Sequence, residues 1–169
     1  TDRIYEALQK LDHKNIDLIM NLQGDEPLMN KDDIKNLHSQ MIEKKSKLAT
    51  LASIIKDENL YLEQSVVKVI TKENLNISKF SEAINFIRRP VERRQNIYHH
   101  LGIYCYQKET LKKFVAYDQS SNEIKNNLEQ MRALDNKINI NVALAKSSPI
   151  GVDTEEDFVA IKKIMEYKS

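Results

Sequence analysis

Short apolar runs alternate along the chain with segments in which apolar residues recur at helical spacing. The run 16–20 ends in polar Asn21 and then in Gln-Gly-Asp-Glu-Pro, as a buried strand does where it enters a loop. The run 66–71 is rich in β-branched residues, which favours a strand. In the same way we predict strands at 16–20, 48–55, 66–71, 100–106 and 138–145.

Helices are predicted where apolar residues return every three or four positions. Asn30 can cap one of them. The last helix opens on Thr154 in a variant of the capping box, and we expect it to turn Phe158, Ile161 and Met165 inward. Predicted helices lie at 2–8, after 30, at 108–115, at 122–134 and after 154.

Strands that alternate with helices indicate an α/β domain with a mostly parallel, Rossmann-like sheet flanked by helices. A length of 169 residues suits a single domain over 1–169. In segment 73–97 the alternation of apolar and polar residues is weak, and the segment is polar and basic. Pro90 argues against a central strand there. We therefore expect this segment to leave the main sheet as a small excursion.

The composition indicates which kinds of partner the protein can bind and which cellular compartment it suits. With 26 Lys and Arg against 25 Asp and Glu, the net charge is +1, so the basic excess that nucleic-acid binding requires is missing. The single cysteine, Cys105, has no partner for an internal disulfide and fits a reducing cytoplasm. No apolar run approaches the roughly 18 residues of a membrane span. We expect a soluble cytoplasmic protein.

Polar groups and glycines stand together at predicted strand ends. Gly24, Gly102 and Gly151 each lie there, either to allow close backbone approach to a ligand or simply as turns. Asp25 and Asp153 each follow a predicted strand, so in a parallel sheet both could project into one crevice. Two carboxylates suit Mg²⁺. Asp153 also precedes a helix, where it could serve as a cap instead.

Several other polar residues have both a structural and a functional interpretation. His100 begins an apolar strand and could be an ordinary histidine at a sheet end. Glu129 and Gln130 could be solvated residues of the helix 122–134. The basic cluster 88–94 is either a solvated face or a clamp for a carboxylate. The sequence contains neither of the Gly-rich phosphate-loop motifs and no zinc-type Cys and His spacing.

Four motifs, in order, resemble the 3-deoxy-manno-octulosonate (KDO) cytidylyltransferases, also called CMP-KDO synthetases. They are Asn-Leu-Gln-Gly-Asp-Glu-Pro-Leu at 21–28, His-Leu-Gly-Ile-Tyr at 100–104, Leu-Glu-Gln-Met-Arg at 128–132 and Gly-Val-Asp-Thr at 151–154. The likeness extends over nearly the whole chain. Sialic-acid cytidylyltransferases share this fold but differ at the Gln-Gly-Asp-Glu-Pro segment, so KDO is the better sugar.

The resemblance implies that the anomeric hydroxyl of KDO attacks the α-phosphate of CTP, giving CMP-KDO and pyrophosphate for lipopolysaccharide synthesis. Asp25 and Asp153 would be the catalytic ligands of Mg²⁺, Arg88 would meet the sugar carboxylate, and Arg3 would lie near the nucleotide. The family is homodimeric, so segment 73–97 could carry the dimer surface. The residues implied in the KDO pocket are Gln23, His100, Tyr104, Glu129 and Gln130.

The sequence also departs from the family pattern. The family opens with a strand and a Pro-Ala-Arg…Arg-Leu-Pro-Gly-Lys loop that holds the triphosphate, whereas this chain begins at Thr1 within a predicted helix. We therefore expect the first strands to be missing and these 169 residues alone to be inactive. The family usually reads Phe-Ser-Arg where this chain has Phe86-Ile87-Arg88. Open alternatives are a cytidylyltransferase for another acid sugar and a non-catalytic remnant or assembly module.

Overall fold

The computed structural model describes residues 1–11, 15–76, 79–89, 95–146, 151–152 and 154–166. Helices and strands alternate through most of this part of the chain. In order they are α1 (Asp2–Lys10), β1 (Leu18–Asn21), α2 (Lys31–Glu43), β2 (Leu48–Ser53), α3 (Glu58–Leu62), β3 (Lys68–Thr71), β4 (Ser81–Ile87), β5 (Ile97–Gln107), α4 (Lys108–Ala116), α5 (Ser121–Asn126), α6 (Met131–Asp135), β6 (Asn141–Leu144) and α7 (Glu155–Glu166).

The strands form one mixed sheet in the order β1-β5-β2-β6-β4-β3. Strand β3 also pairs with β5, so the strands other than β1 close into a ring. Within the described ranges only β2 and β6 pair in parallel. The predicted α/β class is confirmed, but the expectation of a mostly parallel sheet is wrong.

The length of one connection contributes to the mixed sheet. The connection 72–80 joins β3 to β4. A parallel pair needs a crossover of about a dozen residues or more, and this segment is shorter, so β3 and β4 pair antiparallel. Residues 81–87 lie within the sheet, between β6 and β3, and not in an excursion from it. Pro90 falls outside the described residues, and a dimer surface in segment 73–97 stays a prediction.

The helix predicted over 122–134 is interrupted. Asn127 adopts the left-handed conformation, with φ 52° and ψ 49°, and ends α5. Asparagine is one of the few residues with a side chain that visit this region readily. Helix α6 begins only at Met131, so Glu129 and Gln130 lie in a turn between two short helices and not in mid-helix.

Apolar side chains pack on both faces of the sheet. On one face, α2 covers the side of β5 that carries Ile103 and Cys105. On the other, α1, α4 and α6 cover Tyr104 and Tyr106. Burial raises the pKa of the Cys105 thiol to about 11, as expected of a small packed side chain. None of the helices that the structure describes is both long and apolar enough to cross a membrane.

Helix caps and the last helix agree in part with the sequence-based expectations. The Asn30 side chain accepts a hydrogen bond from the Asp32 N–H at 2.8 Å, which confirms the predicted cap of α2. In α7, Ile161 is buried as predicted. Phe158 and Met165 are half-exposed, so their predicted inward orientation is wrong for the chain by itself.

Candidate functional site

A cleft of about 770 Å³ opens beside β5. Its walls come from the loop after β1, the segment before β3, the middle of β5 and the turn between α5 and α6. The fold brings most of the candidate site residues together here, from distant parts of the sequence. Those that line the cleft are Gln23, Asp25, Arg88, His100, Tyr104, Glu129 and Gln130.

Arg3 and Asp153 were also named from the sequence, and of these two the structure describes only Arg3, which is not among the residues that line the cleft. Arg3 lies on an exposed position of α1. Asp153 falls outside the described residues, although its neighbours Gly151 and Val152 are described. The roles proposed for Arg3 and Asp153 therefore stay predictions.

The centre of the cleft is built on a bulge in β5. Thr50 of β2 pairs with Tyr104, whereas the next residue, Leu51, pairs with Leu101. Two residues of β5, Gly102 and Ile103, are therefore extra at this point of the ladder. A bulge of this kind redirects the strand, and here it lies between two cleft residues, His100 and Tyr104.

Side chains from two neighbouring segments satisfy the backbone of the bulge. The Thr50 hydroxyl lies 2.6 Å from the Ile103 carbonyl oxygen and 3.2 Å from that of Leu101. The Gly102 N–H donates to Glu26 Oε1 at 3.1 Å. Neither Thr50 nor Glu26 was singled out from the sequence, because the bulge that gives them their role has no sequence signature.

Gly102 leaves room for a cleft side chain. A Cβ added at this position would lie 2.8 Å from Gln23 Oε1 and 3.1 Å from Gln23 Cδ, which is closer than such atoms pack. The absence of a side chain at Gly102 therefore lets the Gln23 carboxamide occupy its place in the cleft. A Cβ at Gly24 would meet no atom within 4 Å, so Gly24 fits the simpler interpretation of a turn residue.

The loops that carry the two candidate metal ligands are in contact. The Val152 N–H donates to the Asp25 carbonyl oxygen at 2.8 Å, and Val152 immediately precedes Asp153. The Asp25 side chain is exposed at the edge of the cleft. Among the described residues, no three His, Cys, Asp or Glu side chains cluster as a metal site. Carboxylate oxygens on adjoining loops fit Mg²⁺, because this ion keeps several waters and phosphate oxygens as ligands.

The aromatic residues of the cleft wall are neutral. Burial, reinforced by neighbouring His99, lowers the pKa of His100 to about 3. Burial, together with Tyr106 and Glu129, raises the pKa of Tyr104 well above its usual value. The His100 ring centroid lies 5.5 Å from that of Tyr104. An uncharged imidazole and an uncharged phenol offer hydrogen bonds without charge, as recognition of sugar hydroxyls requires.

Arg88 bridges two walls of the cleft. Its Nη1 donates to the Ser65 carbonyl oxygen at 3.0 Å and its Nη2 to that of Asn127 at 3.3 Å. Behind it, fully buried Lys68 donates to three backbone carbonyls, including that of Arg88 at 2.9 Å. Since a guanidinium has five N–H groups, Arg88 keeps donors for a ligand. Lys68 was not recognised from the sequence, since a lysine inside a strand pattern gives no sign of burial.

A buried ion pair holds the turn that carries Glu129 and Gln130. Arg132 Nε and Nη2 donate to the two carboxylate oxygens of Glu123 at 2.8 and 2.6 Å, and both side chains are 6% exposed. Hydrogen bonding to Arg132 lowers the pKa of Glu123. Ser120 and Glu123 also form a capping box, a signal that was readable in the sequence and was missed.

Comparison with known proteins gives relatives over almost the whole chain. A family model described as cytidylyltransferase matches residues 1–140. The 3-deoxy-manno-octulosonate cytidylyltransferase of Bartonella henselae is 36% identical over 167 residues, covering 98% of this chain and 68% of the relative. The enzyme of the same name from Thermodesulfovibrio yellowstonii is 37% identical over 175 residues, covering 98% and 69%.

The solved structures that resemble this chain include an enzyme of the same kind as these relatives. A structure of CMP:2-keto-3-deoxy-manno-octonic acid synthetase complexed with CTP superposes with a TM-score of 0.86 and 28% identity, covering 99% of this chain and 68% of that one. A UDP-glucose pyrophosphorylase shares the fold alone, with a TM-score of 0.67 and 11% identity over 96% of this chain and 57% of that one. The chain thus belongs to the cytidylyltransferase family, in which its close sequence relatives are 3-deoxy-manno-octulosonate cytidylyltransferases.

Proposed function

We propose that the protein transfers CMP from CTP to the anomeric hydroxyl of KDO, giving CMP-KDO and pyrophosphate for lipopolysaccharide synthesis. One observation carries this proposal: residues from four separate motifs or loops line the same cleft. The names of the relatives and of the CTP-bound structural neighbour support the choice of substrates. The residues proposed to contact KDO are Gln23, His100, Tyr104, Glu129 and Gln130, all of which line the cleft.

The chemistry of the cleft matches an acid sugar with many hydroxyls. Neutral His100 and Tyr104 and the amides of Gln23 and Gln130 suit hydroxyl groups, and Glu129 can accept from them. Arg88 supplies a positive charge at the cleft wall, and its remaining N–H groups would pair with the sugar carboxylate. This arrangement would orient the anomeric hydroxyl relative to CTP, which is the main contribution that positioning makes to a transfer of this kind.

Mg²⁺ is the metal that the carboxylates Asp25 and Asp153 would hold. When bound, it neutralises charge on the triphosphate as phosphoryl transfer begins. The hydrogen bond from Val152 to the Asp25 carbonyl supports the pairing of these two aspartates, because it ties their loops together. Arg3 would lie on the nucleotide side.

The decisive assay is pyrophosphate release from CTP, KDO and Mg²⁺, with the protein expressed from its own reading frame. Asp25→Ala and Asp153→Ala should each lower the rate by about a hundredfold or more, because charge neutralisation in the transition state is lost. Asp118→Ala is the matched control, since Asp118 is exposed and does not line the cleft. It should keep the wild-type rate.

Two other outcomes would change the proposal. Release with a different acid sugar, and none with KDO, would keep the reaction and replace the substrate. No release from a folded protein with any acid sugar would support a non-catalytic remnant or assembly module instead.

We also propose that the protein works as a homodimer in the cytoplasm, where CTP is made. Segment 73–97, of which β4 is part, would carry the dimer surface. Half-exposed Ile84 on β4 supports this, because it presents apolar surface to solvent. Light scattering should give twice the mass of the chain, and Ile84→Glu should halve it. A wild-type mass equal to one chain would refute the dimer.

A further inference from the structure

The buried hydroxyl of Thr50 lies beneath the cleft with three polar neighbours. They are the carbonyl oxygen of Ile103 at 2.6 Å, that of Leu101 at 3.2 Å, and His100 Nε2 at 3.0 Å. A hydroxyl has one proton to donate and can accept two hydrogen bonds. Carbonyl oxygens only accept, and two oxygen atoms 2.6 Å apart repel each other unless a proton lies between them, so the Thr50 proton points toward the Ile103 oxygen.

The direction of that proton determines the state of His100. Since the Thr50 hydroxyl donates to a carbonyl, it can only accept from His100 Nε2, which must therefore carry a proton. The imidazole is uncharged, because burial lowers its pKa to about 3. A neutral imidazole carries one proton, so Nδ1 is left with a free lone pair.

The lone pair of Nδ1 is available to a ligand. His100 lines the cleft, and its Nδ1 makes no hydrogen bond to any residue that the structure describes. The ring is fixed from the side by Phe86, whose centroid lies 5.0 Å away in an edge-on arrangement. Nδ1 is not among the described buried side-chain atoms that lack a partner, so it keeps contact with solvent, and a ligand that donates a hydrogen bond can replace water there.

Building on the proposed function, we propose that Thr50 is a positioning residue that holds His100 in the Nε2–H tautomer, so that Nδ1 accepts a hydrogen bond from a sugar hydroxyl. His100 then selects for a hydroxyl at this point of the cleft. A carboxylate cannot take the same place, because it would meet a lone pair and not an N–H group.

The tautomer is measured first in the free protein, by nitrogen NMR of the histidine side chains at neutral pH. In the wild type, His100 should show protonated Nε2 and unprotonated Nδ1. Thr50→Val, which keeps the shape and removes the hydroxyl, should give a mixture of tautomers, and Thr50→Ser should restore the wild-type pattern. Protonated Nδ1 in the wild type would overturn the proposal, even if Thr50→Val fails to fold.

KDO affinity, measured by calorimetry, tests the functional half. Thr50→Val should weaken binding about tenfold, the effect of losing one good neutral hydrogen bond, and Thr50→Ser should recover most of it. The matched control is Thr71→Val, which removes another buried hydroxyl, bonded to the Glu73 carbonyl and outside the cleft. It should change neither the His100 spectrum nor the affinity. Equal losses in Thr50→Val and Thr71→Val would overturn the positioning role.

The two measurements separate the inference from the proposed function. If the wild type fails to bind KDO, the proposed function fails, and the spectra of the free protein still decide whether Thr50 sets the tautomer of His100. If KDO binds and the spectra of wild type and Thr50→Val are identical, the Thr50 inference alone fails.

Discussion

At the scale of single residues, Gly102 gives the sharpest prediction about the cleft. Gly102→Ala should lower KDO affinity about tenfold, because the new methyl group displaces the Gln23 carboxamide and one hydrogen bond is lost. The melting temperature should change little, since Gly102 does not have positive φ and alanine fits the strand. Calorimetric titration and thermal unfolding measure the two effects.

The matched control for Gly102→Ala is Gly24→Ala. A Cβ at Gly24 meets no atom within 4 Å, so this variant should bind KDO as the wild type does. A similar loss of affinity in both variants would assign the effect to a general sensitivity to substitution and not to the place of Gln23.

Single residues of the site could be predicted from the sequence only where a motif marked them. Gln23, His100 and Tyr104 lie in such motifs, and the structure places all three in one cleft. Thr50 and Lys68 could not be found in this way. Thr50 is important because of the pairing register of β2, and Lys68 because three backbone carbonyls converge on its ammonium group. Neither arrangement can be read from the sequence.

At the scale of elements, the ion pair between Glu123 of α5 and Arg132 of α6 stabilises the turn that carries Glu129. Glu123→Gln should destabilise the fold by about 3 kcal/mol, because buried Arg132 loses its bidentate partner and keeps only the more distant Glu129 carboxylate, 3.9 Å away. It should also weaken KDO binding, since Glu129 and Gln130 lie on the segment that the pair closes. Denaturant unfolding and calorimetry measure these effects.

An exposed ion pair gives the contrast. Glu6 and Lys10 on α1 lie 2.6 Å apart with 62% and 75% of their side chains exposed. Because water and salt screen such pairs, Glu6→Gln should leave stability and binding unchanged. A loss in Glu6→Gln as large as in Glu123→Gln would show that burial is not what makes the α5–α6 pair important.

Strand and helix positions could largely be predicted from apolar periodicity, because burial of one face imposes that pattern. The direction of the strands could not, since it depends on connection lengths and on pairings between distant segments. The break at Asn127 was also missed. Its neighbours Ile124, Leu128 and Met131 keep helical spacing across the turn, so periodicity alone gives no sign of the interruption.

At the scale of the whole molecule, buried His100 and partly buried His99 should make stability depend on pH. The pKa of His100 is lowered to about 3, and that of His99 is lowered by burial and by Lys68. Below the ordinary pKa of histidine, His99 and His100 bind protons more readily in the unfolded chain than in the folded chain. Stability is therefore complete above that pKa and is lost as pH falls, and His100 contributes about 1.5 kcal/mol of this loss between pH 6.5 and 5.

Denaturant unfolding at a series of pH values measures this slope. His100→Gln should flatten it, and His99→Gln should do so as well. The comparison is of slopes and not of absolute stabilities, since each substitution also changes packing. A wild-type slope that persists in the double variant would assign the acid sensitivity to other groups.

The pairing of β5 with three other strands also affects how the protein folds while the ribosome synthesises it. This strand pairs with β1, β2 and β3, and β6 joins β2 to β4. In the part of the chain that the structure describes, β1 and β2 thus pair only with strands that are synthesised later. Such long-range pairing slows folding and leaves strand edges open meanwhile. Nascent chains of this protein should therefore depend on chaperones until β6 has emerged.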